Sequence, residues 1–486
     1  MTMKQISFII STFLLLVLPE LKAQNEIDAL RYSQLNPIGT TKSLSMAGAM
    51  GAVGGDFTSL SINPAGIGFY RASEFTISPS LYWNKTSSVF LGESYQDDTY
   101  KFNMGNLGFI LNKSTGNESG WISTSIGFGY NRIANLNQDI FMRGTNTQNS
   151  YLDNFTWFAN NYPNNLDPFY EQLAVDVYLL PLDTTLNEYF NDIENGGYGQ
   201  IQQRLVSSRG NIGEYVFSIG GNYSNKLYMG ATLGINRVNF EQTVTHSEYD
   251  PADLFDFFEG FDFEEYLTTQ GTGYSLKFGL IGRPSNFIRF GAAFHLPTFY
   301  YLTDFYENSM TGYYDAEENM QPETASTGLY EYRYRLRTPF KLIGSTALTL
   351  GKMGMISVDY EFLDYRNANL EASGESFFEE NNTIDNLYRS VSNIKIGGEL
   401  KLGDFYLRGG YAFYQSPFAT GEPNVDSNRN VFSGGIGLKS KYFFIDAGYS
   451  YYTEEMSYYM YVPQMVDGSR NTSNGNTAQL TMGFRF

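Results

Sequence analysis

Cysteine is missing altogether, which excludes a disulfide framework, thiolate metal sites and a lipid anchor carried on cysteine. Beyond the first residues no run approaches the 18 or so consecutive apolar residues that a spanning helix needs. Histidine is almost absent: His246 and His295 are the only two. No motif sets either beside a serine and an orienting acid, so a hydrolase of the triad type is not expected. Positive charge is also scarce, with 32 Lys and Arg against 51 Asp and Glu and a net charge of -19. A nucleic-acid partner needs a basic face, and none is indicated.

Aromatic residues, in contrast, are abundant. There are 39 Tyr and 39 Phe, making up most of an aromatic fraction of 17%, yet the mean hydropathy is only -0.30. Apolar and polar residues must therefore be finely interleaved. That pattern suits a transmembrane β-barrel, whose lipid-facing and lumen-facing side chains alternate along each strand and whose Tyr and Trp gather at the membrane interfaces. The first 23 residues, with Lys4, a largely apolar run over 6–18 and Leu21-Lys22-Ala23, read as a secretory signal cleaved after Ala23.

Period-two alternation is clearest at the end of the chain. Ala478, Leu480, Met482, Phe484 and Phe486 point one way, with Thr477, Gln479, Thr481, Gly483 and Arg485 opposite. The pattern recurs over 443–452, at Ile394 to Leu400 and at Ile356 to Phe362, with Asp446, Lys395, Glu399, Asp359 and Glu361 on the polar face. A charge on the lipid face costs about 2–4 kcal/mol at the midplane, so this face must line a polar lumen.

Strands are expected at 73–84, 100–112, 119–132, 212–223, 227–247, 265–282, 287–311, 328–350, 355–369, 388–402, 405–415, 430–439, 443–460 and 475–486, about 14 in all, the even number a bacterial barrel requires. The connections between them alternate without exception between short and long. With the N-terminus periplasmic, short inner turns fall at 112–120, 224–226, 283–286, 352–354, 403–404 and 440–442. Longer outer segments fall at 85–99, 133–211, 248–264, 312–327, 370–387, 416–429 and 461–474.

Two segments remain outside the wall: 24–72, ahead of the first strand, and 133–211, too long for a bare loop. Within the latter, 152–161 and 167–177 suggest short helices capping the outer mouth. The chain thus divides into a signal peptide (1–23), an N-terminal periplasmic or lumenal hatch (24–72) and a barrel (73–486) with an extracellular cap at 133–211.

The pre-barrel segment carries Gly39-Thr40, Ser45-Met46-Ala47-Gly48-Ala49-Met50-Gly51-Ala52, Gly55-Asp56 and Asn63-Pro64-Ala65-Gly66-Ile67. It resembles the entry segment of the outer-membrane long-chain fatty-acid transporter family (FadL type), which also includes aromatic-hydrocarbon channels. The motif match spans about 30 residues, and the barrel pattern extends it over the mature chain.

The resemblance implies a 14-stranded barrel plugged by a small hatch, located in the outer membrane, through which hydrophobic small molecules pass without energy coupling or catalysis. It places Phe57, Ile62, Asn63, Pro64, Ala65 and Phe69 near a ligand pocket. It also places a lateral gap at a kink in the third strand, where Gly127 and Gly129 mark either that kink or close packing of the hatch. One departure is the position of the longest outer connection, which follows the third strand here and comes later in known members.

Phe484 and Phe486 look like the C-terminal signal read by the barrel-assembly machinery. Outer-membrane lipid and lipopolysaccharide are the other expected partners, and no cofactor or metal is expected. The acidic, Phe-rich segment 250–266 reads as a ligand landing site, a site for cations bridging lipopolysaccharide, or a loop packing its own aromatics. His295, on the lumen face, is polar wall lining or a contact to ligand or haem iron. A haem-binding variant of the same barrel and a non-transporting surface protein used for adhesion or partner binding are therefore the alternatives to a channel.

Overall fold

The alternation seen in the sequence is the alternation of the wall. In the computed structural model, which describes residues 25–255, 257–315 and 321–486, Gln479, Thr481, Asp446, Lys395, Asp359 and Glu361 are buried inward while Ile394, Ile396, Ile356 and Phe484 are exposed outward. The signal-peptide reading of 1–23 lies outside the described residues.

Fourteen antiparallel strands close on themselves. They are β1 (Glu74–Phe90), β2 (Glu93–Ser114), β3 (Trp121–Asn135, continued by Gln138–Thr145), β4 (Ile201–Tyr223), β5 (Leu227–Tyr249) and β6 (Phe258–Gly282). β7 is Ile288–His295 with Phe299–Tyr314, and β8 is Glu323–Ser326, Tyr330–Arg337 and Lys341–Thr349. β9 is Gly354–Asp364 with Asn369–Glu371, followed by β10 (Ser390–Leu402), β11 (Phe405–Tyr414), β12 (Arg429–Lys439), β13 (Phe443–Tyr458) and β14 (Ser469–Arg485).

Closure is made by β14 against β1. Arg485 lies opposite Glu74 and bonds its carboxylate at 2.7 Å, and Phe486 and Ser73 exchange two backbone hydrogen bonds of 3.1 Å. Each strand is thus paired on both sides through the body of the wall, as hydrocarbon requires, the outer part of β3 excepted.

The strands extend past the expected outer boundaries. The segment 85–99 is not a loop: β1 and β2 continue as a ladder to Phe90↔Glu93, joined by Leu91 and Gly92, both at positive φ (47° and 84°). Above the bilayer both faces of a strand meet water, so the apolar alternation stops while backbone pairing goes on. β7 and β8 are each interrupted, at Pro297 and Pro339, because proline brings no N–H to a ladder. The breaks face each other and are bridged by Thr298 and Thr338: the Thr298 N–H donates to Thr338 Oγ1 at 3.0 Å, and the Thr338 N–H to the Thr298 carbonyl at 2.9 Å.

Inside the barrel, 25–72 folds as three short helices, α1 (Glu26–Arg31), α2 (Thr41–Ser45) and α3 (Ser59–Ile62), then a 3₁₀ turn at Pro64–Phe69. Ala49, Leu60, Ala65 and Ile67 have no exposed surface. The segment is a plug rather than a tail.

Outside, the connection from β3 to β4 folds as α4 (Tyr151–Asn161), α5 (Glu171–Asp176) and α6 (Asp192–Gly196). The first two match the helices expected at 152–161 and 167–177. Ser150 caps α4 with a reciprocal Asp153 contact. The buried Glu248 carboxylate holds this end down, accepting from Ser150 Oγ (2.6 Å) and the Tyr151 N–H (2.7 Å). Phe155, Leu173 and Val177 bury against Phe261, Phe263 and Met310.

Within the cap, burial pushes the Glu171 carboxyl up from 4.5 to about 7, opposed by the bond it accepts from the Asp167 N–H at 2.9 Å. A carboxyl raised on folding contributes stability that is complete below its unfolded value and is lost as pH rises through the folded one. Raising the pH from about 5 to about 8 is therefore expected to speed amide exchange across 167–180, after correction for intrinsic rates. Glu171→Gln should abolish that difference, and an unchanged pH response in this variant would refute the assignment.

Candidate functional site

The Asn63-Pro64-Ala65 motif folds as a latch. Asn63 is fully buried, its Nδ2 donating to the Gly51 carbonyl at 2.6 Å and to the Leu280 carbonyl of β6 at 3.3 Å, while its Oδ1 accepts from the Ala65 N–H at 3.1 Å. Proline follows because the first position of a helical turn has no use for an N–H. The wall admits this turn only by giving up a side chain. A Cβ on Gly279 would sit 2.0 Å from Asn63 Oδ1, and one on Gly230 would sit 2.3 Å from the Pro64 carbonyl oxygen.

The other expected hatch residues divide in the same way. Phe57 packs on β2 and β3 beside Ile110, and Phe69 stacks on Tyr228 at 3.8 Å with the Arg289 guanidinium 4.6 Å from its ring. Of the six residues proposed for ligand contact, Ile62 alone lines the lumen cavities described below. The remaining five face the wall, because a plug must spend its apolar surface on the glycine-lined strands that hold it.

Buried charge holds the hatch from the other side. Lys277, Lys341 and Lys395 face Glu214, Asp359 and Glu361, with ion pairs Lys277–Glu214, Lys341–Glu361 (3.2 Å) and Lys395–Glu361 (3.2 Å). Several wall side chains reach hatch atoms. Glu214 accepts from Ser61 Oγ (2.6 Å), Asp359 accepts from the Gly51 N–H (2.7 Å), Lys341 donates to the Leu35 carbonyl (3.1 Å), and His295 Nε2 donates to the Ile62 carbonyl (2.8 Å). His295 borders a cavity of only about 50 Å³, too small for a macrocycle. His246 is fully buried beneath the cap, 3.1 Å from Glu248. Among the described residues no group of three or more side chains is arranged to hold a metal.

Above the plug lie two neighbouring chambers of about 330 and 230 Å³. They share Arg31, Gln34, Tyr82, Leu136, Arg429 and Tyr452. Leu30, Ile140, Phe418 and Met456 add apolar surface to the larger one. Arg429 lies over the rings of Tyr414 (4.8 Å) and Tyr452 (5.6 Å). None of these lining residues was singled out from the sequence. The available signal was an arginine at one end of β12, on the face that otherwise carries Val431, Ser433, Gly435 and Gly437.

Leu136 marks the place where the wall is incomplete. β3 pairs with β2 from Ser114↔Ser123 to Asn106↔Asn131 and no further. Its register against β4 shifts between Arg132 and Ala134, and the continuation from Gln138 pairs with β4 alone. Gly127 and Gly129 lie below this break, inside the regular ladder opposite Ile110 and Gly108. There a Cβ would meet Leu60 and Ile110 (both 2.7 Å) at Gly127 and Phe57 (2.7 Å) at Gly129. These glycines accommodate the hatch, and the kink sits several residues further along at 132–137.

Phe484 and Phe486 point outward, packed on Phe443 (5.3 Å) and Phe109 (5.9 Å).

A closed 14-strand barrel with a lumen plug from its own N-terminus, chambers above the plug and a break in the third strand defines the architecture. Solved structures place the fold: it is that of the FadL-type barrels. A FadL homologue of Pseudomonas aeruginosa covers 92% of this chain and 98% of its own at 14% identity and a TM-score of 0.53. The Pseudomonas putida toluene transporter TodX covers 93% and 100% at 10% identity and a TM-score of 0.54. The CymD monoaromatic hydrocarbon channel covers 92% and 98% at 12% identity and a TM-score of 0.51. By sequence, no protein-family model and no curated protein matches the chain.

Proposed function

We propose that this protein is an outer-membrane channel for the passive uptake of hydrophobic small molecules, long-chain fatty acids or aromatic compounds. The ligand gathers beneath the cap, occupies the chambers above the hatch and leaves sideways through the break in β3. The observation that carries this reading is the end of β2–β3 pairing at Asn106↔Asn131, next to Leu136, which lines both chambers.

The hatch closes the straight path to the periplasm. For an oily molecule the sideways route is also the favourable one, since each CH₂ kept out of water is worth about 0.8 kcal/mol. The outward Phe484 and Phe486 fit recognition by the barrel-assembly machinery, and outer-membrane lipid and lipopolysaccharide surround the finished wall.

The test narrows the side opening. Leu136→Trp is expected to cut uptake of a labelled long-chain fatty acid or of toluene roughly tenfold in cells relying on this protein, the effect of an overpacking penalty of order 1–3 kcal/mol on passage. Ligand co-purifying with the barrel should persist. Uptake equal to wild type refutes lateral exit. Absence of uptake and of bound ligand in the unaltered protein refutes the channel and favours a surface-binding role.

A further inference from the structure

A large apolar surface depression lies on the lipid side of the wall. A groove of about 1050 Å³, almost entirely apolar, crosses β3 to β8. That is at the upper end of the roughly 300–1,000 Å³ typical of organic-ligand sites. Its ridges are outward side chains such as Ile219, Phe278, Phe294 and Leu342, and its floor is outward Ala292 and Gly344.

The groove follows from the hatch. On these strands the inward positions Gly230, Gly279 and Gly291 approach the hatch backbone so closely that a Cβ would come within 2.3, 2.8 and 2.3 Å of it. The wall can therefore draw in against the plug, and its outer surface is left concave.

Of the four short turns at the foot of these strands, the one before β3 carries Glu118 and the other three each carry a cation: Lys226 after β4, Arg283 after β6 and Lys352 after β8. There is no Asp or Glu in 222–226, 282–287 or 349–354, although the chain as a whole has a net charge of -19. Lys226 and Lys352 are exposed, and among the described residues none of the three cations is in an ion pair. The Arg283 N–H donates to the Lys226 carbonyl at 2.6 Å, which holds two of the turns together.

An apolar groove whose strands run down to turns with unpaired cations is complementary to an amphiphile with an anionic head. We propose that this face is a docking site for an anionic phospholipid of the periplasmic leaflet, acyl chains in the groove and phosphate on the Lys226–Arg283–Lys352 rim. The assignment to that leaflet rests on reading the short turns as periplasmic. The headgroup preference itself does not depend on it.

The experiment uses the full-length protein in detergent, offered phosphatidylglycerol, phosphatidylcholine of identical chains, or lipopolysaccharide, with bound lipid counted by native mass spectrometry. Phosphatidylglycerol is expected to be retained at least about fivefold over phosphatidylcholine, the effect of roughly one rim cation on an anionic head. Lys226→Ser with Arg283→Ser and Lys352→Ser should abolish that preference. Gly344→Phe, whose side chain projects into open space, should lower retention of both phospholipids. Heat-modifiable gel mobility reports that each variant is a closed barrel. Equal retention of the two phospholipids by the unaltered protein, an undiminished preference in the triple variant, or retention of lipopolysaccharide or a second protein copy instead would overturn the proposal. Uptake does not enter the assay, so failure here leaves the channel reading standing, and the reverse also holds.

Discussion

Asn63→Leu is expected to unlatch the hatch while the fourteen-strand wall stays closed. Leucine matches asparagine in branching and size, so the change removes hydrogen bonds without emptying the site. Three groups lose a partner: the Gly51 carbonyl (2.6 Å), the Leu280 carbonyl (3.3 Å) and the Ala65 N–H (3.1 Å). The Leu280 carbonyl belongs to a strand, whereas Asn63 is the recorded partner for the other two. An orphaned buried polar group costs about 1–3 kcal/mol, giving roughly 2–6 kcal/mol for the pair.

That cost falls on the hatch alone, because the wall's own ladders do not pass through Asn63. Amide exchange over 41–69 should accelerate by orders of magnitude, and ion conductance through reconstituted barrels should rise. Heat-modifiable mobility should stay that of a closed barrel. Hatch exchange equal to wild type would show that the latch is redundant with the charged contacts from the wall.

The parts of this molecule legible in its sequence are those where hydrocarbon enforces a rule. Inside the bilayer an outward residue must be apolar and an inward acid must be hidden, so strands such as 476–486 announce themselves. Above the bilayer the rule lapses. The extensions of β1 and β2 toward Phe90 and Glu93 looked like loop because Asp97 and Asp98 broke the pattern.

The segment 258–265 illustrates the same lapse in another way. Phe261 and Phe263 alternate with acids as in any strand and are buried beneath the cap. Their alternation was plain, but the density of charge suggested a loop. Pro297 and Pro339 mark the breaks in β7 and β8, but the apolar pattern flanking each is continuous and reads as one strand.

The site was less legible than the wall. Asn63-Pro64-Ala65 identified the plug, but sequence spacing does not reveal whether a buried apolar residue faces a cavity or a strand. Phe57 and Phe69 face strands, and Gly127 and Gly129 face the hatch. The chamber residues Arg31, Tyr82, Leu136 and Arg429 come from four distant parts of the chain. Only closure of the barrel brings them together.

Closure also sets the second large effect, at Glu361. Its carboxylate is 3% exposed, with Lys341 and Lys395 each 3.2 Å from Oε2 and Asn393 Nδ2 2.9 Å from Oε1. Glu361→Ala leaves two ammonium groups facing each other with their shared counter-charge gone. Removing one partner from a buried ion pair costs about 3–5 kcal/mol, and here a single carboxylate serves two cations. The midpoint of urea unfolding in micelles should fall accordingly. The hatch should loosen as well, since Lys341 also holds the Leu35 carbonyl at 3.1 Å. Glu361→Leu combined with Lys341→Met and Lys395→Met removes the charges together, and the desolvation of three ions disappears with their attraction. Such replacements range from neutral to about 1–4 kcal/mol stabilising, so the triple variant should recover most of the loss in global stability. It should not recover the hatch, because methionine cannot donate to Leu35. A single variant that unfolds like wild type would mean that water reaches the pair through the lumen, and a triple variant with a fully protected hatch would mean that the Lys341 contact holds nothing.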